Sequence, residues 1–529
     1  MVAEIEVMLW LLVAVAALAL LARKISVPYP ILLVLGGLVL ALIPGIPKIR
    51  LEPRLIFVLF LPPLLYPAAL FTSWRDFRAN LRPIILLAVG LVLFTTCSVG
   101  WFAHYMLVGL PLAAAFALGA IISPPDAVAA TAVLERLQVP QRIVTVVEGE
   151  SLVNDATALV AYGFAIEALN HGTFSLAQAG VKFIVVSVGG IGFGLLIGWL
   201  ASHVQRRLDD PPVQVTISLL TPYAAYLPAD HAGVSGVLAV VAAGVYLGWR
   251  APEIINSRMR LQAGPVWEMV VFLLNGVVFI LIGLQLPEVV GNFPKTVSMS
   301  RLCWEAMLIS ALVIVVRFIW VFVATYLPRL ISKKLRERDP YPGWRPVVIV
   351  AWTGMRGVVS LAAALALPLA LADGTAFPGR NTIIFITFVV ILVTLVLQGL
   401  SLPFLIRWLK VEDGGETEQE ERQARLKANQ AALARLAELE GNGHFPVDLL
   451  QRLRVEYDDR VRQLEACQPV SDGPRRLLSS AYEELQQEAL RVERQTILQL
   501  RNERFINDHA LRRIQRDLDL AEARLRREN

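Results

Sequence analysis

Between Val7 and Leu409 the chain repeats one pattern, a long apolar run followed by a short polar connection. Runs of about 20 apolar residues match a hydrocarbon core about 30 Å thick. Inside that core backbone polar groups must be paired within the protein, so runs of this length read as helices. We count about thirteen, starting near Val7, Tyr29, Leu55, Pro83, Pro111, Ile143, Ala177, Val213, Val234, Ala263, Leu302, Val347 and Asn381. The run at Val213 is the least regular, because Pro211, Pro212, Pro222 and Pro228 flank or interrupt it. With 56% hydrophobic residues and a mean hydropathy of +0.58, the chain is too apolar for a soluble protein of this length. The expected class is an all-α polytopic membrane protein.

Charge checks that count independently. With the N-terminus outside, roughly 18 basic residues fall in inner connections and 6 in outer ones. The inner set runs from Arg23 and Lys24 to the dense stretch Arg329–Arg345, and the outer set includes Lys48, Lys295 and Arg380. The expected orientation is N-out and C-in, across a cell membrane such as the bacterial inner membrane. Glu4 and Glu6 precede the first run and Arg23 and Lys24 follow it, so it reads as a membrane helix rather than a cleaved leader. Cys97, Cys303 and Cys467 are too dispersed to suggest a disulfide framework or a metal cluster.

The composition changes at Lys410, dividing the chain into a membrane domain over 1–409 and a charged helical tail over 410–529. The tail carries roughly 24 acids against 21 bases, a mixture that argues against nucleic acid. Gly414–Gly415, Gly441–Gly443 and Pro469–Pro474 divide it into about three helical stretches, the last starting at Arg475. It reads as a solvated, coiled-coil-like appendage that aids assembly or senses an unidentified cytoplasmic regulator.

Against this apolar background the buried charges stand out. Asp155 lies about 18 Å into the run from Ile143 to Leu169, near mid-membrane. An isolated carboxylate there costs roughly 2.5–3.5 kcal/mol on insertion scales, so such a residue marks a functional site. In Glu150-Ser151-Leu152-Val153-Asn154-Asp155, Ser151 and Asp155 share one helix face, and Glu150 and Asn154 an adjacent one. Asp155, Asp126 and the Ser151 hydroxyl offer hard oxygen ligands for a monovalent cation. A carboxylate at Asp155 can hold a proton or such a cation, not both, and that competition suffices to couple two fluxes.

Two runs are interrupted at depth. Ser123-Pro124-Pro125-Asp126 breaks the fifth, because two prolines remove backbone donors and disfavour helix before them. Trp352-Thr353-Gly354-Met355-Arg356-Gly357 breaks the twelfth. They lie seven positions apart in the order of runs, an odd number, so they cross in opposite directions, as broken helices do in inverted repeats around a transporter's ion site. Asp126 and Arg356 could neutralise the exposed half-helix ends. Arg317, about 15 residues into the eleventh run, is expected to pair with Glu150 and leave Asp155 free to titrate. Glu150, Arg317 and Arg356 thus form the expected structural ion-pair set. His104, Glu268 and Lys182 read as interfacial, Glu148 as lining an entrance, and the glycines from Gly189 to Gly198 as an assembly or sliding face.

At these residues the chain resembles the first monovalent cation:proton antiporter family. The matching pieces are Glu150 to Asp155, Pro124-Pro125-Asp126, Thr353-Gly354-Met355-Arg356-Gly357, and Trp267-Glu268 leading to Phe272, Asn275 and Leu281-Ile282-Gly283. The resemblance implies a homodimer with a mobile core that contains two crossing broken helices and moves like an elevator. It implies that Asp155 is the shared carboxylate, with Asn154 and Asp126 in support and no cofactor beyond the transported ions. It also implies electroneutral exchange of sodium or lithium for a proton, an Asn before the Asp being similar to the electroneutral branch. The chain departs from the pattern in Leu61-Pro62-Pro63-Leu64-Leu65-Tyr66-Pro67-Ala68, which lacks an acid often found there, and in Pro125, where a hydroxyl residue is common. Potassium therefore stays open as the cation. A channel or an ion sensor signalling through its tail is the alternative from another class. A channel would favour a continuous polar pore over a few mutually compensating charges, and no nucleophile–base pair suggests an enzyme.

Overall fold

The structure, a computed structural model, describes residues 2–25, 27–43, 56–171, 176–291, 293, 298–411, 416–441 and 446–466, with isolated positions beyond 490. The third expected tail helix, from Arg475, lies largely outside the described residues. Two compact units result, Met1–Gly414 and Gly415–Asn529. Within the second, α18 (Glu416–Gly441) packs on α19 (Val447–Ala466).

Helices built from the apolar runs make up the first unit. They are α1 (Val2–Lys24), α2 (Tyr29–Ala41), α3 (Leu61–Phe71), α4 (Trp74–Ala79), α5 (Leu81–Met106), α6 (Leu112–Ile122) and α7 (Ala127–Arg136). There follow α8 (Gln141–His171), α9 (Leu176–Gln205), α10 (Pro211–His231), α11 (Gly236–Ile254), α12 (Ser257–Gly291) and α13 (Met299–Ile331). Last come the short α14 (Lys333–Arg338), then α15 (Trp344–Trp352), α16 (Val358–Leu365) and α17 (Arg380–Leu409). Among the described residues seven helices are long and apolar enough to cross a membrane singly. That is fewer than the thirteen runs for a physical reason. Of the six others, the two broken runs are split into α6 with α7 and α15 with α16, and α2 and α3 are short; α1 and α10 are the remaining two. The run at Val213 is continuous in α10 despite Pro222 and Pro228.

The helices sort into two packed groups. In one, α9 lies along α11, α3 and α10 also pack on α11, and α12 runs beside α2 and α1. In the other, α5, α6, α8, α13, α15, α16 and α17 pack around the two breaks. Glycine sets the closest approaches in the first group. A Cβ at Gly283 would stand 2.2 Å from the Val34 carbonyl oxygen, and one at Gly194 would stand 2.1 Å from that of Ala239. The glycines of α9, expected as an assembly face, are largely consumed by packing on α11 and the turn before it, as at Gly189, Gly190, Gly194 and Gly198. The opposite face of α9 is exposed and apolar, including Val181, Val188 and Trp199. Lys182 is paired with Glu167 at 2.6 Å rather than standing alone.

A cluster absent from the sequence reading ties the second group together at one end. Asp339, between α14 and α15, accepts from Arg82 of α5 (3.1 Å), Arg142 of α8 (3.0 Å) and Arg329 of α13 (2.6 Å). Partial burial pushes the Asp339 carboxyl up, but the Arg142 hydrogen bond and the charges of Arg142, Arg329 and Arg82 hold it below its ordinary value. A depressed carboxylate stabilises the fold above its unfolded pKa and loses that effect as pH falls through the folded value. The clasp therefore persists across neutral pH and opens only in acid. Asp339→Asn should lower stability by about 1–2 kcal/mol after allowance for solvent screening. Thermal unfolding in detergent should show a similar loss from pH 6 to pH 8, and an unchanged transition would rule the clasp out.

Candidate functional site

The prolines at 124 and 125 end α6 and leave the chain to restart as α7, so the break exposes backbone groups at depth. The second break, from Thr353 to Gly357, lies against the first. The Asp126 N–H donates to the Met355 carbonyl at 2.7 Å. The Asp126 carboxylate accepts from the Val128 N–H at 2.9 Å and also from the Val358 N–H. One side chain thus caps the N-termini of both α7 and α16, where the helix dipoles are positive. Gly357 permits this approach, since a Cβ there would fall 1.8 Å from Asp126 Oδ2.

The two buried arginines serve the opposite ends. Arg317 donates to Glu150 through Nη1 at 2.5 Å and Nη2 at 2.8 Å, a fully buried bidentate pair. Its Nη2 also donates to the Val350 carbonyl near the C-terminus of α15, at 3.1 Å. Arg356 departs from the expected ion-pair set, because its nearest partners are carbonyls rather than Glu150. Its Nε donates to the Ile122 carbonyl of α6 at 3.0 Å and its Nη1 to the Gly354 carbonyl. The C-terminal carbonyls of a broken helix carry partial negative charge and need donors, and that demand takes the guanidinium. Gly354 leaves room for both arginines, as its Cβ would meet Arg317 Cδ at 2.5 Å and Arg356 Nη1 at 3.0 Å. Thr394, not singled out in the sequence, accepts from the Arg356 N–H at 3.1 Å.

On α8, Asn154 is buried and its Nδ2 donates to the Pro125 carbonyl at 3.0 Å. The Ser151 hydroxyl oxygen accepts from the Ala127 N–H at 3.3 Å, joining α8 to the start of α7. Asp155 differs from all of these. It is buried, yet it has no hydrogen-bond or salt-bridge partner among the described residues. It faces a cavity of about 140 Å³ that also contains Asp126, Ser151, Glu148 and Asn275. A water needs about 10–15 Å³ by this measure, so the space accommodates a partly hydrated monovalent cation. Pro124, Pro125 and Gly357 line it as well, and Phe57, Leu61, Leu64 and Leu65 close the far wall. Sequence reasoning gave Asn275 no role; its place in the cavity lining depends on how α12 packs, which spacing does not encode.

A family model described as sodium/hydrogen exchanger, transmembrane, matches residues 11–408. The chain is 36% identical over 524 residues to an uncharacterized Na+/H+ exchanger of Mycobacterium tuberculosis, covering 97% of this chain and 95% of that one. It is 35% identical over 460 residues to a sodium, potassium, lithium and rubidium/H+ antiporter of Bacillus pumilus, covering 85% and 68%. The sodium proton antiporter MjNhaP1 of Methanocaldococcus jannaschii shares the fold, with a TM-score of 0.60 at 21% identity over 77% of this chain and 98% of that one. These matches define the class as multi-pass secondary cation/proton antiporters, not enzymes. The chain belongs to the sodium/hydrogen exchanger family.

The Glu150–Arg317 pair makes a separable stability prediction. Arg317→Ala leaves an uncompensated buried carboxylate and should cost about 3–5 kcal/mol. Replacing both residues with leucine removes the stranded charge and should cost less than Arg317→Ala alone. Thermal unfolding of purified protein measures this, and a double variant less stable than the single one would contradict it.

Proposed function

We propose that this protein exchanges one sodium or lithium ion for one proton, with Asp155 as the carboxylate that both ions occupy in turn. The observation that carries the reading is that Asp155 lacks a partner while the two other buried acids, Glu150 and Asp126, are engaged. Glu150 is neutralised by Arg317, and Asp126 is held by two backbone N–H groups. Asp155 is thus the group whose charge most needs an incoming ion. Asp126 and the Ser151 hydroxyl supply further oxygens, Asn154 fixes the Pro125 carbonyl, and no cofactor takes part. A single exchanging carboxylate releases one proton per monovalent cation, which makes the cycle electroneutral.

The cavity lies between the two packed groups of helices, so movement of one against the other would carry the site between the membrane faces. We place these groups in two inverted halves totalling about thirteen spans, in a homodimer within a bacterial cell membrane. The loop charge bias supports a cytoplasmic C-terminal tail and an external N-terminus. Exchange of potassium is the second reading, favoured by the relative named for sodium, potassium, lithium and rubidium. The absence of an acid in Leu61–Ala68 leaves few charged oxygens with which to favour a small cation.

Reconstitution into sealed vesicles with an internal pH-sensitive dye tests the function. Sodium or lithium gradients should drive proton movement, potassium gradients should drive little, and Asp155→Asn should abolish it, at least a hundredfold by order of magnitude. An imposed voltage should leave the exchange equilibrium unchanged. Full activity in Asp155→Asn would overturn the site, and a voltage-dependent equilibrium would overturn the stoichiometry.

A further inference from the structure

The cavity is chemically lopsided. Its polar side chains come from the group of helices around the breaks, with Asp126 at the first break and Thr131, Glu148, Ser151 and Asp155 on α7 and α8. The facing wall, from the other group, is built from Phe57, Leu61, Leu64, Leu65 and Ala68. Asn275 on α12 is the polar side chain that this wall contributes to the cavity lining.

Asn275 is 1% exposed, and its Nδ2 has no partner, which leaves a buried amide donor unmet at a cost in free energy. The cost is offset whenever an anionic oxygen in the cavity takes the hydrogen bond. Asp155 is the carboxylate there without a partner.

We propose that Asn275 is a positioning residue that arrests the empty site, donating its Nδ2–H to the unloaded Asp155 carboxylate and losing that bond when an ion takes the same oxygen. The inference rests on Asp155 being the ion-binding carboxylate. The bond ties one helix group to the other only while the site is empty, the state whose movement would uncouple the two ions. An arriving ion must displace the amide, so loading and release of the moving group are one event. Around the amide, Asp126 is occupied by backbone N–H groups, Glu150 by Arg317, and Arg356 by carbonyls of α6 and the second break. Glu148 lines the same cavity and carries a partner of its own.

The test uses the full chain in sealed vesicles, with sodium chloride as the probe. Asn275→Leu keeps the volume and removes the donor. The apparent sodium affinity should tighten about tenfold, because the cation no longer competes with the amide. Voltage should also drive net sodium movement without matching proton movement, which the unaltered protein should not show. Asn275→Ala also removes the donor, without any bulk in its place, and should change both readings in the same sense; it is the deciding variant should Asn275→Leu fail to fold. A purely structural role would slow exchange without tightening affinity or opening the leak, and that outcome overturns the proposal, as do unchanged readings in both variants. Sodium exchange surviving in Asp155→Asn marks failure of the underlying site instead, so the two failures are distinguishable.

Discussion

Two helices broken in the membrane interior create a debt of unpaired backbone groups, and the rest of the site follows from how it is met. Each break exposes donors at one half-helix end and carbonyls at the other. Asp126 meets the donors of α7 and α16 together, and Arg356 and Arg317 meet carbonyls of α6 and α15. Glu150 then balances the Arg317 charge. These charges are engaged by the fold itself before any solute arrives. Asp155, one helical turn from Ser151, is left facing the cavity with its charge unmet.

Much of that arrangement was legible in the residues. Consecutive prolines before Asp126 announced the first break, and the Thr353–Gly357 stretch announced the second, because both motifs oppose helix in a setting that otherwise demands it. The four-residue spacing of Ser151 and Asp155 put them on one face before any packing was known. Counting acids against bases at one depth pointed Arg317 toward Glu150. The same counting grouped Arg356 with that pair, whereas its other expected part, neutralising the half-helix ends, is the one that the Ile122 and Gly354 carbonyls take up.

What was hidden depended on tertiary packing. Nothing local to Asp339 shows that three arginines from 257 residues upstream to 10 residues upstream will meet on it. The basic stretch Arg329–Arg345 was informative about orientation, whereas its single clasping acid was not. The glycines of α9 suggested a close interface, but whether with α11 or a second copy could not be read from spacing. Asn275 looked like one polar residue in an apolar run, and its significance lies in the helix opposite. Span counting shows the same limit, because a run long enough in sequence is not one helix once prolines or glycines have divided it.

Family membership fixes the reaction class, and under the proposal one carboxyl group suffices for coupling, because two ions that need the same oxygen are exchanged rather than carried together. The direct measurement is proton release on cation binding, made on detergent-purified protein in weakly buffered solution with a pH indicator. Adding sodium should release up to about one proton per cation bound, tending to one at the pH values where the carboxyl starts protonated, and Asp155→Asn should release none. Saturable sodium binding with no proton release from the unaltered chain, at any pH where exchange runs, would contradict a shared site.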